Sequence, residues 1–433
     1  MKKTIIKSTF YLILISVLAK ALSFMVRIIL ARRLSMQAMS YYTLTSPTMV
    51  FVITLAQMGI PAALSKVIAQ RDNAGKPLKS AIILSIVNNL IITAAFLFLI
   101  PWLAHTVLKQ DSVQSVLYAI LPLIPMVTLS GLLKGYLLGI QRHLAATSSQ
   151  IFEELSRIVF LFVIFSIRTD YDAISMARIA MLSVTVGEIC SSIFMLANIR
   201  IKKRTLKRVP HLFTNLHKNQ FDDLLMVSIP MTGSRLIGSL TYFMEPILMV
   251  IGLSVIQNQW MVQAYGQLNG YVLPIITMPS FITITLSNVL LPSFTYQYAR
   301  GNTAQAKKLF NVIIGCCFLI GITCSFICYN YSEALLQLFY HNTKGAAMLK
   351  QLAWPFALYS LQPPLSNMLH ALSRSHRAMM DTFFGSLVRI LCVALLTRYI
   401  LIDSLPLALC AGMLVTTLLH CINLAISFRK SSI

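Results

Sequence analysis

The chain has 433 residues, 57% of them hydrophobic and 11% charged, with a mean hydropathy of +0.75. Globular domains carry about 25% charged residues, so most soluble classes are excluded, and the apolar content excludes disorder. Lys and Arg number 36 against 13 Asp and Glu, a net charge of +23; on a soluble chain this would point to nucleic acid, but on a chain this apolar it points to membrane loops, where cations collect on the cytoplasmic side.

A bilayer span needs about 20 mostly apolar residues to cross about 30 Å of hydrocarbon. In chain order such segments are predicted at 8–31, 42–65, 80–103, 114–138, 148–167 and 175–198. A polar, basic stretch follows over 199–221, and six more segments fall at 222–252, 265–296, 309–329, 347–372, 379–400 and 404–427. The first begins like a secretion signal, but its length, Lys20, Arg27 and the lack of a small-residue cleavage site mark a retained span. The second, eighth and tenth contain Pro47, Pro61, Pro274, Pro279, Pro355, Pro363 and Pro364 and are expected to be interrupted by them. The expected organisation is an N-terminal six-helix lobe over 1–198, a basic cytoplasmic linker over 199–221 and a C-terminal six-helix lobe over 222–433.

One side of this arrangement collects Lys66, Arg71, Lys79, Lys134, Arg142, the basic stretch, Arg300, Lys307, Lys308, Arg374 and Arg377. The other side has fewer cations, among them Arg32, Arg33, Lys109 and Arg398. Both termini are therefore expected in the cytoplasm, in a multi-pass protein of a bacterial-type cytoplasmic membrane. The eight cysteines fall inside predicted spans without CxxC spacing, so neither disulfides nor a metal are expected.

The halves show signs of repetition. Arg142 and Arg157 are fifteen residues apart, as are Arg374 and Arg389, and each pair joins a cytoplasmic turn to a span interior. Ser16, Lys20, Ser23 and Arg27 share one helical face in the first span; Ser228, Arg235, Gly238, Tyr242 and Glu245 form a similar face in the seventh. Two lobes repeated in the same orientation predict a site at the lobe interface.

The stretch from Lys20 to Arg32, KALSFMVRIILAR, resembles the start of the stage V sporulation protein B branch of polysaccharide flippases. So do Gly59 to Lys66 (GIPAALSK), Gly135-Tyr136 with Gly139-Ile140-Gln141, Arg235-Leu236 with Glu245, and Gly301-Asn302. This branch belongs to the multidrug/oligosaccharidyl-lipid/polysaccharide exporter superfamily. The resemblance implies an all-α polytopic membrane protein of about 12 transmembrane helices, V-shaped, in two pseudo-symmetric six-helix lobes around a central cavity. Members of the branch often carry two further C-terminal spans, whereas twelve segments are predicted here. Some lipid II flippases place an arginine in the core of the second and eighth spans; this chain does not.

A charge at the bilayer centre costs about 2.5–3.5 kcal/mol on insertion scales, so such residues face a cavity or a partner. Lys20, Arg27, Arg235 and Glu245 are the candidates for substrate binding, since Arg grips phosphate oxygens at two points and Lys adds a point charge. Each has a plainer reading: Arg27 can snorkel towards water beside Arg32 and Arg33, and Arg235 can serve to neutralise Glu245. Glu153, Arg157, Glu188 and Arg389 are expected as structural or secondary cavity charges. Glu153 and Arg157 have the spacing of a helical ion pair, Arg389 follows Asp381 by two turns, and Glu188 is either a proton site or a satisfied buried carboxyl.

No P-loop, HExxH or Gly-x-Ser-x-Gly motif occurs, so no enzyme activity, cofactor or metal is expected. The leading expectation is a flippase that moves a lipid-linked oligosaccharide or peptidoglycan precursor by alternating access. Its partners would be a lipid-linked sugar pyrophosphate, membrane lipids against the basic stretch and enzymes of cell-wall or polysaccharide synthesis, with a monomer as the working unit and no nucleic acid. The alternatives are a cation-coupled multidrug exporter of the same superfamily and a non-transporting membrane scaffold for a polysaccharide synthesis complex.

Overall fold

The computed structural model describes residues 2–69, 75–167, 171–199, 218–251, 253–300, 302–372 and 374–430. Most of the basic stretch predicted as a linker, from 200 to 217, lies outside the described residues, as do Arg71 and Gly301. Every regular element among the described residues is helical. The chain divides into two compact units, Met1–Phe243 and Met244–Ile433.

The first unit contains α1 (Lys2–Arg33), α2 (Met36–Gln57), α3 (Ile60–Ala69), α4 (Gly75–Trp102), the short α5 (Gln114–Tyr118), α6 (Leu123–Gly139), α7 (His143–Ile167), α8 (Ala173–Asn198) and most of α9 (Lys218–Val250). The second begins with the last turns of α9 and continues through α10 (Val255–Gln267), α11 (Leu273–Thr277), α12 (Ser280–Ala299), α13 (Thr303–Asn330), α14 (Ser332–Tyr340), α15 (Ala346–Tyr359), α16 (Gln362–Ala371), α17 (Ser375–Ile400) and α18 (Ser404–Lys430). Each of the twelve predicted segments falls on one of these helices or on a run of broken ones. Among the described residues six stretches are long and apolar enough to cross a bilayer unaided, and up to eight if each of two bent pairs counts as one span. Helix α7 falls outside that set because Glu153, Glu154 and Arg157 interrupt its apolar sequence.

The break in the second segment is made by a left-handed turn rather than by proline. Helix α2 runs through Pro47 and ends at Met58, whose φ is +46°, followed by Gly59 at φ +60°. A side chain at residue 59 would place its Cβ 2.8 Å from the carbonyl oxygen of Ser228, so glycine is required both for the backbone angle and for the close approach of α9. The Ser228 hydroxyl donates to the Met58 carbonyl at 2.7 Å, which satisfies an acceptor that the break would otherwise leave without a partner. Pro61 then sits in the first turn of α3, where its missing N–H is harmless. Pro363 and Pro364 occupy the same kind of position in α16, while α15 runs through Pro355.

Small residues set the closest packing. Gly131, Gly135 and Gly139, one turn apart on α6, face α3, and a Cβ on Gly139 would lie 2.7 Å from the Cβ of Ile68. Behind this contact Ile60, Leu64, Val67, Ile68 and Leu132 form a buried core with Leu224 of α9. In the second unit Gly385 of α17 and Gly412 of α18 meet, and a Cβ on Gly412 would lie 2.7 Å from the Gly385 carbonyl oxygen. Such small-residue crossings let helix backbones approach where hydrocarbon offers no hydrophobic drive. Helix α8 starts at Asp172, which accepts from the Ser175 backbone N–H at 3.4 Å; the hydrogen bonds from Ser175 hold this carboxyl below its ordinary value.

Large apolar side chains cover the outside of the helices. Leu90, Phe98, Val159 and Ile167 in the first unit and Leu319, Leu395, Tyr399 and Leu418 in the second are exposed, as are all three tryptophans, Trp102, Trp260 and Trp354. A surface of this kind matches hydrocarbon, and helices satisfy their own backbone groups there.

Candidate functional site

The second unit holds an open cavity of about 330 Å³ between α15, α16, α17 and α18, with both polar and apolar lining. Tyr359, Gln362, Ser366, Thr382, Ser386, Thr416 and His420 supply its polar lining, and Arg389 supplies a guanidinium. Arg389 projects from α17 one turn after Gly385. Helix α18 passes close enough at Gly412 that a Cβ there would lie 2.8 Å from the Arg389 Cβ.

Glu245, on the last turns of α9 and 3% exposed, accepts from Arg389 with both oxygens. Arg389 Nη2 lies 2.7 Å from each carboxylate oxygen and Nε lies 3.2 Å from Oε1. The arginine side chain keeps 23% exposure, so one side of the guanidinium is held by Glu245 while the residue still lines the cavity. Charge-assisted bonds of this geometry are about twice as strong as neutral ones.

A second polar chain enters the same cavity. His420 of α18 is 2% exposed, and its Nδ1 lies 2.8 Å from Asp381 Oδ2. Asn423 Nδ2 donates to Asp381 Oδ1 at 2.7 Å, and Arg377 Nη1 donates to Asn423 Oδ1 at 3.1 Å. Asp381, which stands two turns before Arg389 in the sequence, therefore serves His420 and Asn423, and Arg389 is taken by Glu245 instead. In the sequence His420 stands beside Cys421, and one histidine with one cysteine makes no metal site. A buried Asp in an apolar segment signalled that a partner existed, but the partners lie 39 and 42 residues away and no periodicity connects them.

In the first unit a cluster of charges forms on α6, α7 and α8. Arg157 Nη1 donates to Glu154 Oε2 at 3.1 Å, so the helical ion pair expected for Arg157 with Glu153 forms with the adjacent Glu154. Glu153 lies within electrostatic reach of Glu188, Arg157 and Lys134. Ser130 of α6 donates its hydroxyl to Glu188 Oε2. Gly187 makes room for these side chains, since a Cβ there would lie 2.9 Å from Arg157 Cγ and 3.1 Å from Glu153 Cγ. Glu188 is thus hydrogen-bonded beside two cations and two further carboxylates.

Lys20 and Arg27 on α1 and Arg235 on α9 have exposed side chains. These three belong to the first unit, whereas Glu245 belongs to the second. Among the described residues no group of three or more His, Cys, Asp or Glu could hold a metal ion.

Helices with an apolar exterior, and buried charges that are paired with one another, fit a multi-pass membrane protein. The chain belongs to the polysaccharide biosynthesis protein family, which matches residues 5–297. It is 32% identical over 431 residues to stage V sporulation protein B of Bacillus subtilis (strain 168), covering 97% of this chain and 83% of the relative. It is 24% identical over 360 residues to sporulation protein YkvU of the same organism, covering 82% and 80%. Among solved structures, an inward-facing multidrug resistance MATE family transporter of the MOP superfamily matches with a TM-score of 0.73 and 15% identity, over 95% of this chain and 94% of that one. The lipid II flippase MurJ in an inward closed conformation matches with a TM-score of 0.73 and 12% identity, over 97% and 90%. The fold is that of these solved transporters of the MOP superfamily.

Proposed function

We propose that the protein moves a lipid-linked oligosaccharide or peptidoglycan precursor across the cytoplasmic membrane by alternating access, as a monomer with both termini in the cytoplasm and lobes at 1–198 and 222–433 joined through 199–221. The observation that carries this reading is the Arg389 guanidinium at the wall of this cavity, held by the buried Glu245. A diphosphate offers planar pairs of oxygens that suit a guanidinium, and the hydroxyls and amide of Ser366, Thr382, Ser386, Thr416 and Gln362 suit sugar hydroxyls. The cavity volume falls at the lower end of the range for small-molecule sites, about 300–1,000 Å³. Lys20, Arg27 and Arg235 would meet the phosphates during passage, while the lipid tail stays in the bilayer. A membrane potential contributes about 2.3 kcal/mol per charge per 100 mV, and a negative cytoplasm drives an anionic head outward. Membrane lipids are its surroundings, and enzymes that make or consume the precursor are its functional neighbours.

The test is flipping of a fluorescent lipid-linked sugar in proteoliposomes. Arg389→Ala, and Lys20→Ala with Arg235→Ala, are expected to slow it at least about tenfold, the equivalent of about 1.4 kcal/mol. Unchanged rates in both variants would remove the proposed site.

A further inference from the structure

We propose that His420, held by Asp381, is a second and protonatable contact for an anionic head group, so that the cavity takes up a proton together with a phosphate-bearing ligand. This rests on reading the cavity as the site of a lipid-linked phosphate. Asp381 is 3% exposed and its two oxygens are occupied by His420 and Asn423. Asn423 is in turn held by Arg377. A carboxylate fixed in this way is an acceptor, so His420 Nδ1 carries the hydrogen and the remaining ring nitrogen, Nε2, is left for the cavity that His420 lines. In the neutral ring Nε2 presents a lone pair and repels a phosphate oxygen; in the protonated ring it presents N–H and a positive charge. Anion binding at this wall therefore requires a proton, and by linkage the anion promotes proton uptake to the same degree.

The surrounding groups narrow the pH dependence to this residue. On α17 stand Asp381, Arg377 and Arg389, and arginine does not titrate in proteins. Glu245 of α9 is engaged with Arg389, and Tyr359 of α15 lines the cavity beside them. His370 of α16 is within electrostatic reach of His420 and bonds Ser375 at 2.9 Å, so it is an imidazole to control. Histidine changes charge between about pH 5 and 8, whereas the Arg389–Glu245 pair alone would bind a diphosphate more weakly as pH falls, because the terminal phosphate takes up its own proton near about pH 6.

The test uses the full chain in lipid nanodiscs, with a short-chain polyprenyl diphosphate and inorganic pyrophosphate as probes, between pH 5.5 and 8. Affinity is expected to strengthen as pH falls, by at most about tenfold per pH unit for one linked proton. Calorimetry in two buffers of different ionisation enthalpy should find proton uptake on binding. His420→Gln should abolish both effects, His370→Gln should keep them, and Asp381→Asn should reduce the proton uptake, with Asp381→Glu restoring it. Binding that ignores pH, or a His420→Gln variant that keeps the pH dependence, overturns the proposal. If pyrophosphate binds with the proton linkage but the polyprenyl diphosphate binds no better and is not flipped, the lipid-linked reading fails while the proton-linked anion site stands. If neither probe binds at any pH, both fail.

Discussion

Arg389 and Glu245 show how much of a buried charge depends on its partner. Each was recognisable in the sequence because a charge inside an apolar segment needs compensation. Which partner it takes was not recognisable: Arg235 is nearer to Glu245 in the chain and Asp381 nearer to Arg389, yet the two close on each other across 144 residues. Ion-pair spacing also mispaired Arg157, because Glu153 and Glu154 lie four and three residues from it and only packing against α8 decides between them. Removing one member of a buried pair leaves the other uncompensated, at about 3–5 kcal/mol, whereas replacing both by apolar groups is often neutral. Glu245→Gln is therefore expected to lower the thermal unfolding midpoint in detergent strongly, and adding Arg389→Met should restore most of the loss. A double variant as unstable as the single would show that packing, rather than charge, holds α9 to α17.

At the level of elements, the apolar segments were legible because length and composition nearly determine a membrane helix. The positions of the breaks were less so. Proline marks a start or an interruption equally well from sequence, and α2 and α15 run through theirs, while the second segment breaks at Met58–Gly59 because a neighbouring helix presses on it. Glycine spacing on α6 carries a sharper consequence. The Cβ of a residue at 135 would fall on the backbone of Pro61, so Gly135→Val should cost about 1–3 kcal/mol as an overpacked contact. Gly315 on α13 has nothing within 4 Å of its would-be Cβ, and Gly315→Ala should be neutral or gain up to about 1 kcal/mol from helix propensity. Thermal unfolding of the two variants side by side distinguishes crossing glycines from incidental ones.

For the whole molecule, the resemblance drawn from scattered motifs holds, as does the all-helical transporter fold. The cavity in the second unit was not foreseen, since its hydroxyl and amide lining is made of residues common in any span. The tryptophans test the membrane placement. All three are exposed, and in the proposed topology Trp102, Trp260 and Trp354 fall near the outer ends of their segments, where indole rings favour the headgroup boundary. Their fluorescence should be quenched more by lipids brominated near the glycerol end of the acyl chain than by lipids brominated near the methyl end; the reverse order would place them in the bilayer centre.

The Glu245–Arg389 contact also constrains how this chain can vary by descent. A change at either position alone strands a buried charge, and a change at both escapes that penalty, so the two sites are coupled in fitness although they lie far apart in the gene. Lineages that keep this packing should inherit the two residues together or lose them together, and single-substituted intermediates should be rare among them.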